Sequence, residues 1–146
     1  MGIPDPLRDP QFYQGVPLRR LVAFGIDTVI ILLLWFVGAV VISAVTLGFG
    51  TVLIPMLQFV TAFAYRWLLL ARTSATVGMR MTGIEIRDAN GDNLNQTLAA
   101  LHTAAFMVTL GFLPLAIIGW LIMASLPTRQ ALHDLPFGTV AINRPD

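Results

Sequence analysis

The feature that most constrains this chain is a long run without formal charge, because residues 28–65 include no Asp, Glu, Lys or Arg. Only 12% of the whole chain is charged and 56% is hydrophobic, whereas about a quarter of the residues in a typical globular domain are charged. A chain of 146 residues cannot hide that much apolar surface in one core surrounded by water. The solvent for most of the chain must therefore be lipid.

The apolar run divides into two stretches that can each cross a bilayer. Residues 21–44 and 52–71 each reach the roughly 20 residues that span a hydrocarbon core about 30 Å thick. Gly48 and Gly50 lie between the two stretches and favour a turn. The sequence therefore predicts a transmembrane helical hairpin.

A second run without Asp, Glu, Lys or Arg covers residues 93–128 and is interrupted near its middle by Gly111 and Pro114. The run is long for one helix and short for two complete crossings. Proline inside a helix removes a hydrogen bond and kinks or ends the helix. We predict two helical pieces, residues 96–110 and 113–126, and leave open whether this third segment crosses once or folds back.

The remaining stretches are more polar. They are an N-terminal segment (residues 1–20), a loop (72–95) and a tail (127–146), so the membrane domain as a whole covers residues 21–146. Two short β-branched runs, Ile84 to Arg87 and residues 139–142, lie in the loop and the tail. An unpaired strand leaves its backbone groups unsatisfied, so we expect these runs to pair. The predicted fold is an all-α membrane protein with a small two-stranded cytoplasmic cap.

Basic residues set the expected orientation. Arg19 and Arg20 precede the first helix, Arg72, Arg80 and Arg87 follow the second, and the loop between the helices carries no charge. Short cytoplasmic loops carry the excess of Lys and Arg. We therefore expect a cytoplasmic N-terminus, with the 72–95 loop on the same side.

Two ionisable residues lie inside the predicted hairpin. Asp27 is on the first helix and Arg66 on the second, at similar depths from the same membrane face, about 9 and 7.5 Å at 1.5 Å per residue. A charge inside a membrane helix is costly unless it is paired, so we predict an Asp27 to Arg66 ion pair. The pair could form an ion or proton site, or it could be a structural clasp that fixes the register of the helices.

The histidines offer weaker signals. His102 lies in the third apolar segment, where it could act in a proton relay or simply pack as a hydrogen-bonded side chain. His133 and Asp134 are adjacent, and neighbours on a helix do not face each other, so we predict no metal site. The sequence has no cysteine and no phosphate-binding, nucleophile-elbow or dinucleotide motif, and its basic residues are not clustered. We expect no enzyme activity, no cofactor and no nucleic-acid partner.

Three separated blocks resemble the RDD family of bacterial membrane proteins. They are PLRRLVAFGIDTVIILLL near the start, ATVGMR with the following G and IEIRD after the hairpin, and RQALHDLPFGTV near the end. The resemblance covers nearly the whole chain. It maps the signature arginine to Arg20, with Arg19 adjacent to it, and the signature aspartates to Asp27 and Asp134.

The sequence departs from the family pattern at two positions. Met79 stands where a lysine is common, and His102 stands where relatives often carry arginine. If the tail is cytoplasmic, Asp134 returns to the side of Arg20 and Arg66, and these residues could form one charge network with Asp27.

The resemblance implies a multi-pass protein of the bacterial plasma (inner) membrane. Family function is largely undefined, although transport of small ligands, including sodium-proton exchange, has been proposed. We expect involvement in transport of ions or small ligands, in a homo-oligomer or larger membrane complex. The alternative is a non-catalytic accessory or scaffold subunit that contacts its partner through small residues, for which the candidates are Gly38, Ala39, Ala62 and Ala64.

The topology can be tested by cysteine labelling, since the natural chain has no cysteine. A cysteine introduced at Gly2 should be protected from an impermeant reagent applied to intact cells, and should react once the cells are opened. A cysteine at Thr139 should not be labelled from outside the cell. Labelling of the Gly2 variant from outside would overturn the orientation. Labelling of the Thr139 variant alone from outside would show that the third segment crosses once.

Overall fold

The computed structural model describes residues 2–145 and confirms a mainly helical membrane protein. Two of its helices, α1 and α2, are long and apolar enough to cross a bilayer. The elements in chain order are α1 (Val16–Val45), α2 (Ile54–Thr73), α3 (Val77–Thr82), β1 (Ile84–Arg87), α4 (Gln96–Gly111), α5 (Leu113–Ser125) and β2 (Val140–Asn143).

Helices α1 and α2 form the predicted hairpin. Gly48 in the connection has a φ of 90°, a left-handed conformation that glycine adopts without steric cost. At this end the indole nitrogen of Trp35 donates to the Ile54 carbonyl over 3.0 Å and ties the two helices together. Large apolar side chains such as Phe36 and Phe59 are exposed along the pair, as expected for a surface in lipid.

The third apolar segment folds back. Helices α4 and α5 meet at an angle of 112°, at the break that Gly111 and Pro114 predicted. At 1.5 Å per residue, the 16-residue α4 is about 24 Å long, shorter than the hydrocarbon core. The chain after α5 returns to the start of α4, where Asp134 contacts His102. The segment therefore folds back, and the loop and the tail emerge at the same end of the helices.

Strands β1 and β2 pair antiparallel at that end, with Ile84 opposite Asn143 and Arg87 opposite Val140. This pairing confirms the predicted two-stranded sheet, with the second strand beginning one residue later than expected. The main apolar core lies here too, where Leu70, Ile84 and Ile86 are fully buried. We refer to α3, β1 and β2 together as the cap.

The short helix α3 was not predicted, and it attaches the cap to the hairpin. Thr76 caps its N-terminus by accepting from the amide of Met79 over 3.2 Å. Gly78 then lies against α1, since a Cβ built on it would be 2.3 Å from the carbonyl oxygen of Ala23. Only a residue without a side chain allows this close approach.

We predict that Gly78→Ala destabilises the protein by about 1–3 kcal/mol, because the added methyl group must push α3 away from the α1 backbone. Gly25→Ala is the matched control, since a Cβ at Gly25 meets no atom within 4 Å. The free energy of unfolding in detergent micelles measures both effects. Equal stability of the two variants would show that α3 is not held against α1.

Candidate functional site

Asp134 is the centre of the site, and it lies in a turn of the tail that brings it under α1 and α4. Its carboxylate forms an ion pair with Arg20 and accepts hydrogen bonds from Nε2 of His102 at 2.7 Å, the hydroxyl of Thr139 at 3.0 Å and the amide of Ala131 at 3.0 Å. The side chain is completely buried. Burial by itself would raise the pKa of Asp134, but Arg20 and the His102 hydrogen bond outweigh it and hold the pKa well below its usual value. Asp134 is therefore a buried carboxylate that stays ionised.

The two arginines at the start of α1 have different roles. Arg20 is the one that pairs with Asp134, whereas Nη1 of Arg19 donates to the carbonyl of Thr82 in the cap over 3.1 Å. Arg20 is thus the arginine that shares a site with a signature aspartate. The pairing connects α1 to the tail, as the shared side of the membrane suggested.

Asp27 is buried on α1 and is held by neutral donors. It accepts from the hydroxyl of Tyr65 at 2.7 Å, the hydroxyl of Thr76 at 2.5 Å and the amide of Gly78 at 2.8 Å. Three donors satisfy much of a carboxylate's hydrogen-bonding capacity. Asp27 therefore joins α1 to α2 and to the N-terminus of α3.

The predicted Asp27 to Arg66 ion pair is wrong. An ion pair requires a nitrogen and an oxygen atom within 4.0 Å of each other. Among residues 2–145, no nitrogen of Arg66 lies that close to an oxygen of Asp27. The depth argument placed both residues at one end of the hairpin, but it could not include α3. The donors of Tyr65 and α3 occupy the carboxylate that Arg66 was expected to contact.

Arg66 is instead a buried cation with no carboxylate oxygen within 4.0 Å among residues 2–145. It is 6% exposed, and its Cζ lies 3.6 Å from the centre of the Phe106 ring. This cation–π contact compensates only part of the cost of burying the charge. The Nε atom is buried and has no hydrogen-bond partner in the part of the chain that the structure describes.

His102 and His133 come together beside Asp134. Their ring centroids are 5.0 Å apart, and Phe106 packs edge-on against His133. Burial lowers the pKa of His133 well below its usual value despite the neighbouring Asp134, so this ring is neutral. Neither ring nitrogen of His133, nor Nδ1 of His102, has a partner within residues 2–145.

These two histidines and Asp134 could be considered a metal site, because their potential ligand atoms lie within 4.8 Å of one another. The chemistry of the donor set does not favour it. Both oxygens of Asp134 already accept two hydrogen bonds each, and Arg20 and Arg66 place positive charge beside any cation. The cluster fits a hydrogen-bonded ion pair better than a divalent metal.

A cavity of about 150 Å³ adjoins the cluster. Its ionisable lining residues are Arg20, Asp27, Arg66 and His133. Most of the other lining residues are apolar and come from α1, α4, α5 and the tail, with Met79 contributed by α3. We call this space the charged cavity.

The sequence analysis missed Tyr65, Thr76 and His133. Thr76 lies inside the ATVGMR block, so that block could have suggested it. His133 was set aside because adjacent residues on a helix face different ways, but residues 132–134 form a turn in which His133 and Asp134 both reach the interior. Nothing in the sequence pattern distinguished Tyr65 from a lipid-facing aromatic residue.

The fold and the site define a small helical membrane protein whose ionisable residues are gathered at one end of its helices. The family model described as the RDD family matches residues 15–138, a range that includes Arg20, Asp27 and Asp134. The chain belongs to the RDD family. A search of curated proteins found no match, and a search of solved structures found none either.

We predict strong coupling between Arg20 and Asp134. Arg20→Gln or Asp134→Asn alone should destabilise the protein by about 3–5 kcal/mol, because each leaves a buried charge without its partner. The double variant should lose much less than the sum of the two, as measured by unfolding in detergent.

Arg8 and Asp5 provide the control, since they form a longer, 3.8 Å ion pair with an 86% exposed arginine. Their single variants should have little effect on stability. Additive losses in the Arg20 and Asp134 cycle would contradict the prediction.

Proposed function

We propose that this RDD-family protein takes part in transport of a small ion or ligand, and that the charged cavity is where the ligand binds. The observation that carries the proposal is the incomplete pairing of buried charge in that cavity. Ionisable groups at membrane depth are costly and usually mark ion pathways or relays.

In a purely structural clasp, every buried polar group would have a hydrogen-bond or ion-pair partner within the protein. The two aspartates and Arg20 fit that description. Arg20 is matched by Asp134, and Asp27 is matched by three donors. Arg66 and His133 are buried beside the same cavity, and each has nitrogen atoms without a hydrogen-bond partner in the part of the chain that the structure describes. The unsatisfied groups favour a ligand-binding role over the clasp.

The contacts of the small residues give less support to the alternative of an accessory or scaffold subunit. Gly38 was a candidate for close contact with a partner, but a Cβ on it would lie 3.1 Å from Leu57 within the same hairpin. Ala39 is likewise buried. These two positions serve the packing of the chain itself.

The proposal includes an assembly and a location. Two long helices and one re-entrant pair enclose little volume, and carriers commonly form their pathways between repeats, so we propose that copies of the chain associate to complete the pathway. We place the protein in the bacterial inner membrane with the cap in the cytoplasm. Exposed Arg19, Arg72 and Arg80 at the cap end support this orientation.

Transport is tested with purified protein in proteoliposomes. Radiolabelled sodium, chloride and acetate are tested separately. At least one of the three should enter vesicles that contain the protein faster than it enters protein-free vesicles. His133→Gln should reduce that rate at least tenfold, because it alters the cavity wall.

Arg72→Gln is the control, since Arg72 is an exposed arginine at the end of α2, outside the cavity. Its transport rate should match that of the natural protein. Absence of uptake of all three ions, or equal uptake by His133→Gln, would contradict the transport proposal.

A further inference from the structure

Arg66 is a buried charged side chain whose guanidinium makes no ion pair or hydrogen bond among residues 2–145. Its guanidinium is buried on α2, contacts the Phe106 ring, and lines the charged cavity. Buried charges in proteins are normally paired, but Asp27 and Asp134 attract Arg66 only from beyond contact distance. The guanidinium therefore has no directly bound acceptor in the part of the chain that the structure describes.

The other unsatisfied atoms of the cavity point to the sign of that ion. Nε of Arg20 and Nε of Arg66 are both buried without hydrogen-bond partners among residues 2–145, and a guanidinium can only donate. His133 contributes a neutral ring with one N–H donor and one acceptor nitrogen. Both guanidinium groups can be satisfied only by a ligand that accepts hydrogen bonds, and the N–H of His133 can donate to the same ligand.

We propose that the charged cavity binds a small monovalent anion, a halide or a short carboxylate, held by Arg66 with help from Arg20 and His133. The inference rests on the proposed function and narrows its ligand class. Binding can nevertheless be measured whether or not the protein transports.

Size and charge set the limits of the ligand. A cavity of about 150 Å³ with mainly apolar walls accepts a small ion more readily than a large or strongly hydrated one. Asp27 also lines the cavity and Asp134 lies behind Arg20, so two carboxylates repel additional negative charge. Both limits disfavour divalent anions such as sulfate.

The experiment measures the thermal unfolding midpoint of the purified full chain in detergent. Sodium chloride, nitrate and acetate are titrated against sodium gluconate at constant ionic strength, gluconate serving as the larger and more strongly hydrated comparison anion. At least one of the three small anions should give a saturable rise of roughly 5–10 °C at about one hundred times its dissociation constant. Equilibrium dialysis of that anion in radiolabelled form should find one site per chain.

Arg66→Met should raise the dissociation constant at least tenfold. In gluconate its midpoint should equal or exceed that of the natural protein, since an unpaired buried charge has been removed. A purely structural arginine would instead lower the midpoint. Arg72→Gln, on the same helix but exposed, should bind like the natural protein.

Three results would overturn the anion site. They are a midpoint that no small monovalent anion raises saturably, an equal rise in Arg66→Met, and an equal rise with sulfate. If Arg66→Met fails to fold, Arg66→Lys and the dialysis of the natural protein carry the same test. Binding without flux in proteoliposomes would leave the anion site in place and contradict only transport.

Discussion

The buried carboxylate of Asp134 is the interaction on which the rest of this structure depends. It lies after the segment that folds back, yet it contacts Arg20 on α1 and His102 on α4. A tail that ended on the other side of the membrane could not reach either residue. The ion pair and the β1 and β2 ladder therefore require the same folding back of α4 and α5, and each makes the other possible.

A second anchor works alongside it through neutral donors. Asp27 accepts from Tyr65 on α2 and from Thr76 and Gly78 at the start of α3. The negative charge of the carboxylate is favoured near a helix N-terminus, where unsatisfied amides point outward. The two aspartates thus attach the loop and the tail to one end of the hairpin. Their neighbour Arg66 packs against the Phe106 ring and faces the charged cavity.

The sequence predicts which charged residues form the site, but it does not predict which groups each of them contacts. Asp27 and Arg66 were recognised because charge is rare in such a chain, and Asp134 was recognised from the resemblance to the RDD family. All three lie at the cap end. The partner of Asp27 was wrong, since depth along a helix follows from residue number but the direction of the side chain does not. The six-residue α3 has no apolar periodicity long enough to reveal it. Without α3, Arg66 looked like the nearest available partner.

The sequence alone determined that the chain lies in a membrane, that it forms a hairpin, and that its third segment breaks at Gly111 and Pro114. These properties follow from local composition, because the length of an apolar stretch and the position of helix-breaking residues affect only the nearby chain. Tertiary structure decided which donors satisfy each aspartate, that His133 faces inward from a turn, and that Arg66 contacts the Phe106 ring and not Asp27. Those outcomes depend on contacts between residues far apart in the chain, and only packing of the cap against the helices brings such residues within hydrogen-bonding distance.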